Sequence, residues 1–182
     1  GEIATRTFAL ERTFDLGVSL GHGNAMYVDA ENNVIYIGAD GAGIRKYVFD
    51  SDANNPVADG PAGNYVYDST IAPTTPGEAG WTQTLAYDPE NDVWYAGSIA
   101  WAETERPVWK YDASQGDNGV WEVAFTYEGG THHDGMEFVN GYLYLADYQG
   151  DYIKTFTTDG TLIDVYYHEP LGHELEGMGF DA

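Results

Sequence analysis

The feature that most constrains this chain is a short strand-entry unit that occurs four times. Aligned on Met26, Leu85, Met136 and Met178, the copies begin at Asn24, Gln83, Asp134 and Glu176, each an oxygen-bearing side chain two places before the alignment point. The first two copies continue without a gap, Asp29–Gly38 lying over Asp88–Gly97. The third shortens its turn to Asn140-Gly141, a dipeptide that favours a type I′ hairpin. Such a repeat is one supersecondary unit that cannot bury its apolar face alone and has to stack on its neighbours.

Beyond this hairpin each unit carries a third strand around a Lys and an aromatic residue: Ile44–Tyr47, Val108–Tyr111 and Ile153–Phe156. A fourth strand follows at Asn64–Tyr67, Val120–Phe125 and Thr161–Tyr166. Four antiparallel strands repeated at roughly 40–60 residues predict the blades of a β-propeller. Gly 23 and Tyr 15, with Val/Ile/Tyr/Trp runs between Asn, Asp and Gly clusters, fit an all-β protein, and 43% hydrophobic residues suffice for a packed core. The apolar run Val34–Ile37 predicts a strand covered on both faces.

The expected organisation is a single propeller domain, or part of one, over residues 1–182. It has about three complete blades at approximately 22–68, 81–127 and 132–167, an orphan outer strand at 5–16 and an orphan inner strand at 175–181. Single-chain propellers typically have about four to eight blades. The count therefore predicts an incomplete ring, either a fragment of a longer chain or a subunit completed by another copy or another protein. Open sheet edges invite such pairing.

Seven basic residues against thirty acidic ones give a formal charge of −23. Phosphate binding needs cationic patches, so nucleic acid is excluded as a partner, and an anionic membrane surface with it. Self-repulsion of this size calls for screening by salt or bound cations. Either the chain is adapted to a saline or calcium-rich medium, or several carboxylates bind specific cations, and both can hold. There is no cysteine, hence no disulfide, thiolate metal site or cysteine catalysis. No run reaches transmembrane length, so no membrane insertion is expected. The opening Gly1-Glu2-Ile3 has no initiator Met and no leader-like pattern, which suggests a processed piece of an exported protein, secreted or at the cell surface in a saline environment.

In a propeller the loops entering the inner strands gather at one mouth of the central channel. Asn24, Gln83, Asp134 and Glu176 would then converge, two carboxylates and two amides whose hard oxygens suit Ca²⁺ or another divalent cation such as Mg²⁺ or Mn²⁺. His22, Trp81, His132 and Glu174 form a second tier, with His133 and His173 beside it, positioned to contact a small molecule or glycan. The histidines read either as ordinary loop residues, as a Zn²⁺-type site, or, at His132 and His133, as proton-transfer groups. The ring of four reads equally as a turn-capping device. Asp50, Asp52 and Asn54 have the alternate-oxygen spacing of a calcium loop, but Asn55 and Pro61 stand where that loop needs Gly and Glu. Trp101, in the insertion 100–106, is the tryptophan placed to stack a sugar ring.

The segments His133–Phe138, Gly141–Asp147 and Ile153–Gly160 resemble the repeats of six-bladed propellers of the gluconolactonase and senescence-marker-protein superfamily, which are calcium-dependent, lactonase-like and NHL-like. Leu175–Asp181 resembles their metal-ligand glutamate entry, and Gly23–Asp29 their Asn-Gly entry, with Ala25 in place of glycine. The resemblance implies an axial Ca²⁺ or other divalent ion held at Glu176, Asn24 and Asp134, polarising a lactone or ester carbonyl. Gln83 stands where another Asn or Asp is expected.

Two functions follow from these readings. The first is an extracellular, acidic, cation-binding propeller module that binds protein or glycan or assembles with itself. The alternative is a metal-dependent lactonase or esterase with Asp134 or His132 handling the proton.

Overall fold

A computed structural model describes residues 13–17, 25–39, 41, 43–55, 62–74, 76, 82–97, 105–128, 133–147 and 152–167. They form three four-stranded antiparallel sheets, each a meander in chain order. Blade one contains β1 (Met26–Asp29), β2 (Val34–Ala39), β3 (Gly43–Asp50) and β4 (Asn64–Ala72). Blade two contains β5 (Thr84–Asp88), β6 (Val93–Gly97), β7 (Glu105–Asp112) and β8 (Trp121–Glu128). Blade three contains β9 (His133–Val139), β10 (Tyr142–Asp147), β11 (Tyr152–Thr157) and β12 (Leu162–Tyr167). The first strands lie side by side, β5 touching both β1 and β9. This is the all-β architecture of stacked propeller blades.

The repeat alignment becomes a register. In blades one and two the first hairpin turns on an aspartate: Asp29 Oδ1 accepts the Asn32 amide at 3.1 Å, and Asp88 Oδ1 accepts the Glu90 amide at 3.0 Å. Asn33 and Asp92 then both take φ 55°, the left-handed conformation that Asn and Asp tolerate. In blade three Asn140 (φ 51°) and Gly141 (φ 84°) are both left-handed, as a type I′ turn requires. Strand pairing follows in the same frame: Met26 faces Ile37, Leu85 faces Ala96, and Met136 faces Leu145.

Each blade has two faces, one toward the preceding blade (rear) and one toward the next (front). Trp94, Leu85, Ala96 and Tyr111 on the rear of blade two pack with Ile44, Tyr27 and Tyr36 on the front of blade one. Met136, Leu143, Leu145 and Phe156 on the rear of blade three pack with Ala86, Tyr95 and Val108 on the front of blade two. Blade two is thus covered on both sides. Trp94 sits at the first junction, 4.8 Å from the Tyr36 ring, 4.4 Å from Tyr87 and 5.6 Å from Tyr27 between centroids. Front tyrosines recur at the second junction, where Tyr95 stacks on Phe138 at 6.0 Å.

Three details differ from the sequence reading. Strand β4 continues past Tyr67, where the sequence placed its end, to Ala72, which is fully buried against blade two. Arg106, expected in the insertion 100–106, is a buried residue of β7. Between β7 and β8 the chain forms two 3-10 turns over Ala113–Asn118, broken at Gly116 (φ 56°), the first capped by Asp112, which accepts the Ser114 amide at 3.0 Å. Of the orphan strand expected at 5–16, only 13–16 is described and it pairs in no sheet. It is packed nonetheless: the Phe14 ring lies 5.0 Å from Tyr65, and Leu16 rests on the cluster of Ile35, Ile37 and Tyr47. The inner strand expected at 175–181 lies outside the described residues.

The stacking makes a prediction. Trp94→Ala empties the junction between blades one and two and costs about 3–5 kcal/mol of stability, as for large-to-small changes in packed cores. The exposed Val66→Ala on β4 stays within about 0.5 kcal/mol. Urea unfolding followed by far-UV circular dichroism measures both, and equal midpoints would show that the blades do not depend on each other.

Candidate functional site

The entry to β5 is held by its own hairpin and by the preceding blade. The Gln83 amide donates to Gly97 O at 2.8 Å and the Gly97 amide donates to Thr84 Oγ1 at 3.0 Å, locking the approach to β5 onto the end of β6. Thr82, fully buried, lies on Gly38 of blade one, where an added Cβ would stand 2.6 Å from Thr82 Cγ2. The glycine that closes Tyr36-Ile37-Gly38 is therefore the seat for the next blade's entry. In β9, His133 pairs with Asp147 while Gly135 pairs with Ala146, so Asp134 is the extra residue of a bulge. Bulges re-aim side chains and recur beside functional sites.

Of the four residues expected in the ring, the structure thus places two. Gln83 stands immediately before β5 and Asp134 within β9, on strands that touch. Asn24 and Glu176 lie outside the described residues, as do His22, Trp81, His132, His173, Glu174 and Trp101. The side chains of His133 and Asp134 are likewise outside what is described. Among the described residues no three histidine or carboxylate side chains converge as a metal centre requires. Gln83 Oε1 is nevertheless buried with no hydrogen-bond partner among the described residues, and so is Thr82 Oγ1. A buried polar atom left unpaired is costly, and Tyr47 Oη, Asn64 Oδ1, Trp109 Nε1 and Thr155 Oγ1 are unpaired among the described residues in the same way. Asp50, Asp52 and Asn54 form a plain turn, Asp50 Oδ1 accepting the Asp52 amide at 2.9 Å.

The aromatic junctions are electrostatically quiet. Burial pushes the Tyr27, Tyr36 and Tyr95 hydroxyls above the ordinary phenol range. Tyr87 is raised further, by burial and then by its 2.9 Å hydrogen bond to Asp92 Oδ1. These rings pack and do not ionise near neutral pH. Glu137, on the front of blade three opposite Tyr144, is also raised by burial.

The structural feature that the sequence did not single out is the rear of blade one. Leu85 and Met136 are 4% and 3% exposed, whereas the repeat-equivalent Met26 is 58% exposed and its neighbour Val28 49%. On the last blade Tyr142 and Tyr166 are exposed on the front face. The alignment already put Met26 in the same column as its buried counterparts. What covers a column is a property of neighbours, which no single repeat encodes.

No protein-family model matches the chain, and no curated protein matches it. Among solved structures, it is similar to U3-55K at 14% identity, covering 80% of this chain and 39% of that one with a TM-score of 0.47. It is similar to the WD40 repeats of RRP9 at 13% identity, with 80% and 38% covered and a TM-score of 0.46. The third is Saccharomyces cerevisiae Sqt1 at 14% identity, with 80% and 35% covered and a TM-score of 0.45. The chain spans less than two fifths of each of these chains. The blade assignment rests on strand order and face packing.

Glu137 yields a pH prediction. Because its carboxyl titrates higher in the folded chain than in the unfolded one, folding is penalised above the folded pKa, and the penalty lifts as pH falls toward the unfolded value. Glu137→Gln should therefore raise the Tm at neutral pH, and the gain should vanish at pH 4 and below. A Tm difference independent of pH would show that the carboxylate is solvated.

Proposed function

We propose that this chain is a propeller module that works by binding another protein through its open blade faces. The observation that supports the reading is Met26: a repeat position buried in blades two and three stands 58% exposed in blade one. Contiguous apolar surface of this kind marks interaction sites. The blades themselves show what such a face does, since at both junctions a face is covered by aromatic and aliphatic side chains of the neighbouring sheet. A photo-crosslinking residue placed at Met26 and at Tyr142 in the chain's native cells should give discrete protein adducts. The same residue at the exposed turn position Glu90 should give none. Equal labelling at all three positions would end the interaction-module reading.

A second reading is favoured by the unpaired Gln83 Oε1. It proposes a divalent cation at the inner-strand entries, with Gln83, Asn24, Asp134 and Glu176 as donors. An amide oxygen beside carboxylates is a fitting hard-ligand set for Ca²⁺. When bound, the ion would pin the blade entries together and supply Lewis acidity toward a lactone or ester carbonyl, the hydrolase alternative. This chain's residues would position it, with Asp134 or His132 holding the proton. Ca²⁺ should raise the Tm, and Gln83→Ala should reduce the rise. A Tm indifferent to both Ca²⁺ and EDTA would remove the cation and the hydrolase with it.

A further inference from the structure

We infer that the partner of the open faces is a second copy of this chain, joined head to tail: the front of blade three on one copy seats against the rear of blade one on the other. This rests on the interaction-module reading and names its partner. Two such junctions already exist within the chain, and a front tyrosine takes part in each. A front tyrosine of one blade meets a rear aromatic of the next, Tyr36 on Trp94 at 4.8 Å and Tyr95 on Phe138 at 6.0 Å.

Register puts Tyr144 at the same front position in blade three, facing Thr155 as Tyr36 faces Lys46 and Tyr95 faces Lys110. It puts Val28 at the rear position held by Tyr87 in blade two and Phe138 in blade three. At the first junction the rear aromatic is Trp94, whose blade-one equivalent Ile35 is already packed under Leu16, and at the second it is Phe138, whose equivalent Val28 is exposed, so a third junction built like the second sets Tyr144 against Val28, with Met26 beside it. The segment 13–17 covers the outer part of that rear face through Leu16 and Phe14, leaving the inner part, Met26 and Val28, bare. The inner strands are also where successive blades touch inside the chain.

A head-to-tail contact uses two different faces, so two copies can make it twice and close. Three described blades from each copy give six, inside the range of about four to eight that closed propellers use. The charge of −23 on each copy opposes the approach, so pairing should strengthen as salt is raised.

Light scattering coupled to size exclusion, on the whole chain in about 1 M salt, where the Debye length is about 3 Å, tests this. Wild type should run at twice the single-chain mass. Met26→Asp, which spoils the rear face, and Tyr144→Asp, which spoils the front, should each run as a single chain. An equimolar mixture should recover a weaker paired species, because one wild-type junction survives in the mixed pair. Tyr142→Asp, an exposed residue on the same front face, replaces Tyr144→Asp if that variant loses its Tm. Wild type at single-chain mass, disruption by only one of the two faces, or a mixture that stays unpaired each overturns the head-to-tail pair. Adducts at Met26 that contain a different protein would do so too while leaving the interaction-module reading standing.

Discussion

Everything in this molecule depends on sheets lying face to face. A single four-stranded antiparallel sheet has two faces to cover, and here the covering is done by its neighbours in the repeat. Blade two shows the completed state: Trp94 and Tyr111 are buried on one face, and Val108 and Phe125 on the other. The stacking also explains residues that have no meaning within one sheet. Gly38 is small because Thr82 of the next blade lies on it, and Ala72 extends β4 because it too reaches the following blade.

The fold was legible because the repeat fixed both period and register. Once Asp29–Gly38 was laid over Asp88–Gly97, the shared Asp-to-Asn turn, the buried second strand and the front tyrosines came from the same columns. Where the reading fell short, the cause was non-local. Strand β4 outran its expected end because Ile71 and Ala72 pack across a junction, and Arg106 was assigned to a loop although β7 already included it. The two 3-10 turns at Ala113–Asn118 are held by the Asp112 cap and by Tyr111 and Gly119 donating to Gly116 O, in a stretch with no apolar period to announce them.

The entry residues were legible to a lesser degree. Gln83 and Asp134 do stand at the entries of touching strands, where Gln83 Oε1 has no partner among the described residues and Asp134 is the extra residue of a bulge. Sequence could place these residues in a common column but could not say which of their oxygens find partners. That depends on the approach of Gly97 and Thr84, set only when the hairpin closes.

The acidity looks different once the turns are seen. Asp29, Asp50, Asp88, Asp112 and Asp159 each accept backbone amides across a tight turn. Hydrogen bonds from Ser114 and Gln115 hold the Asp112 carboxyl below its usual range, and those from Thr157 and Thr161 do the same for Asp159. All five carboxylates are turn fasteners, and for Asp112 and Asp159 the contribution is present above the unfolded pKa and lost as pH falls through the folded one. Their negative charge sits at hairpin ends, where each closes a turn. The junctions between blades are aromatic and aliphatic, while toward the outer strands the faces carry the ion pairs Lys46–Asp68 and Lys110–Glu122. Charge on the rims and apolar surface at the junctions are compatible demands: the first limits how readily blades of separate chains approach, and the second determines what they do on contact.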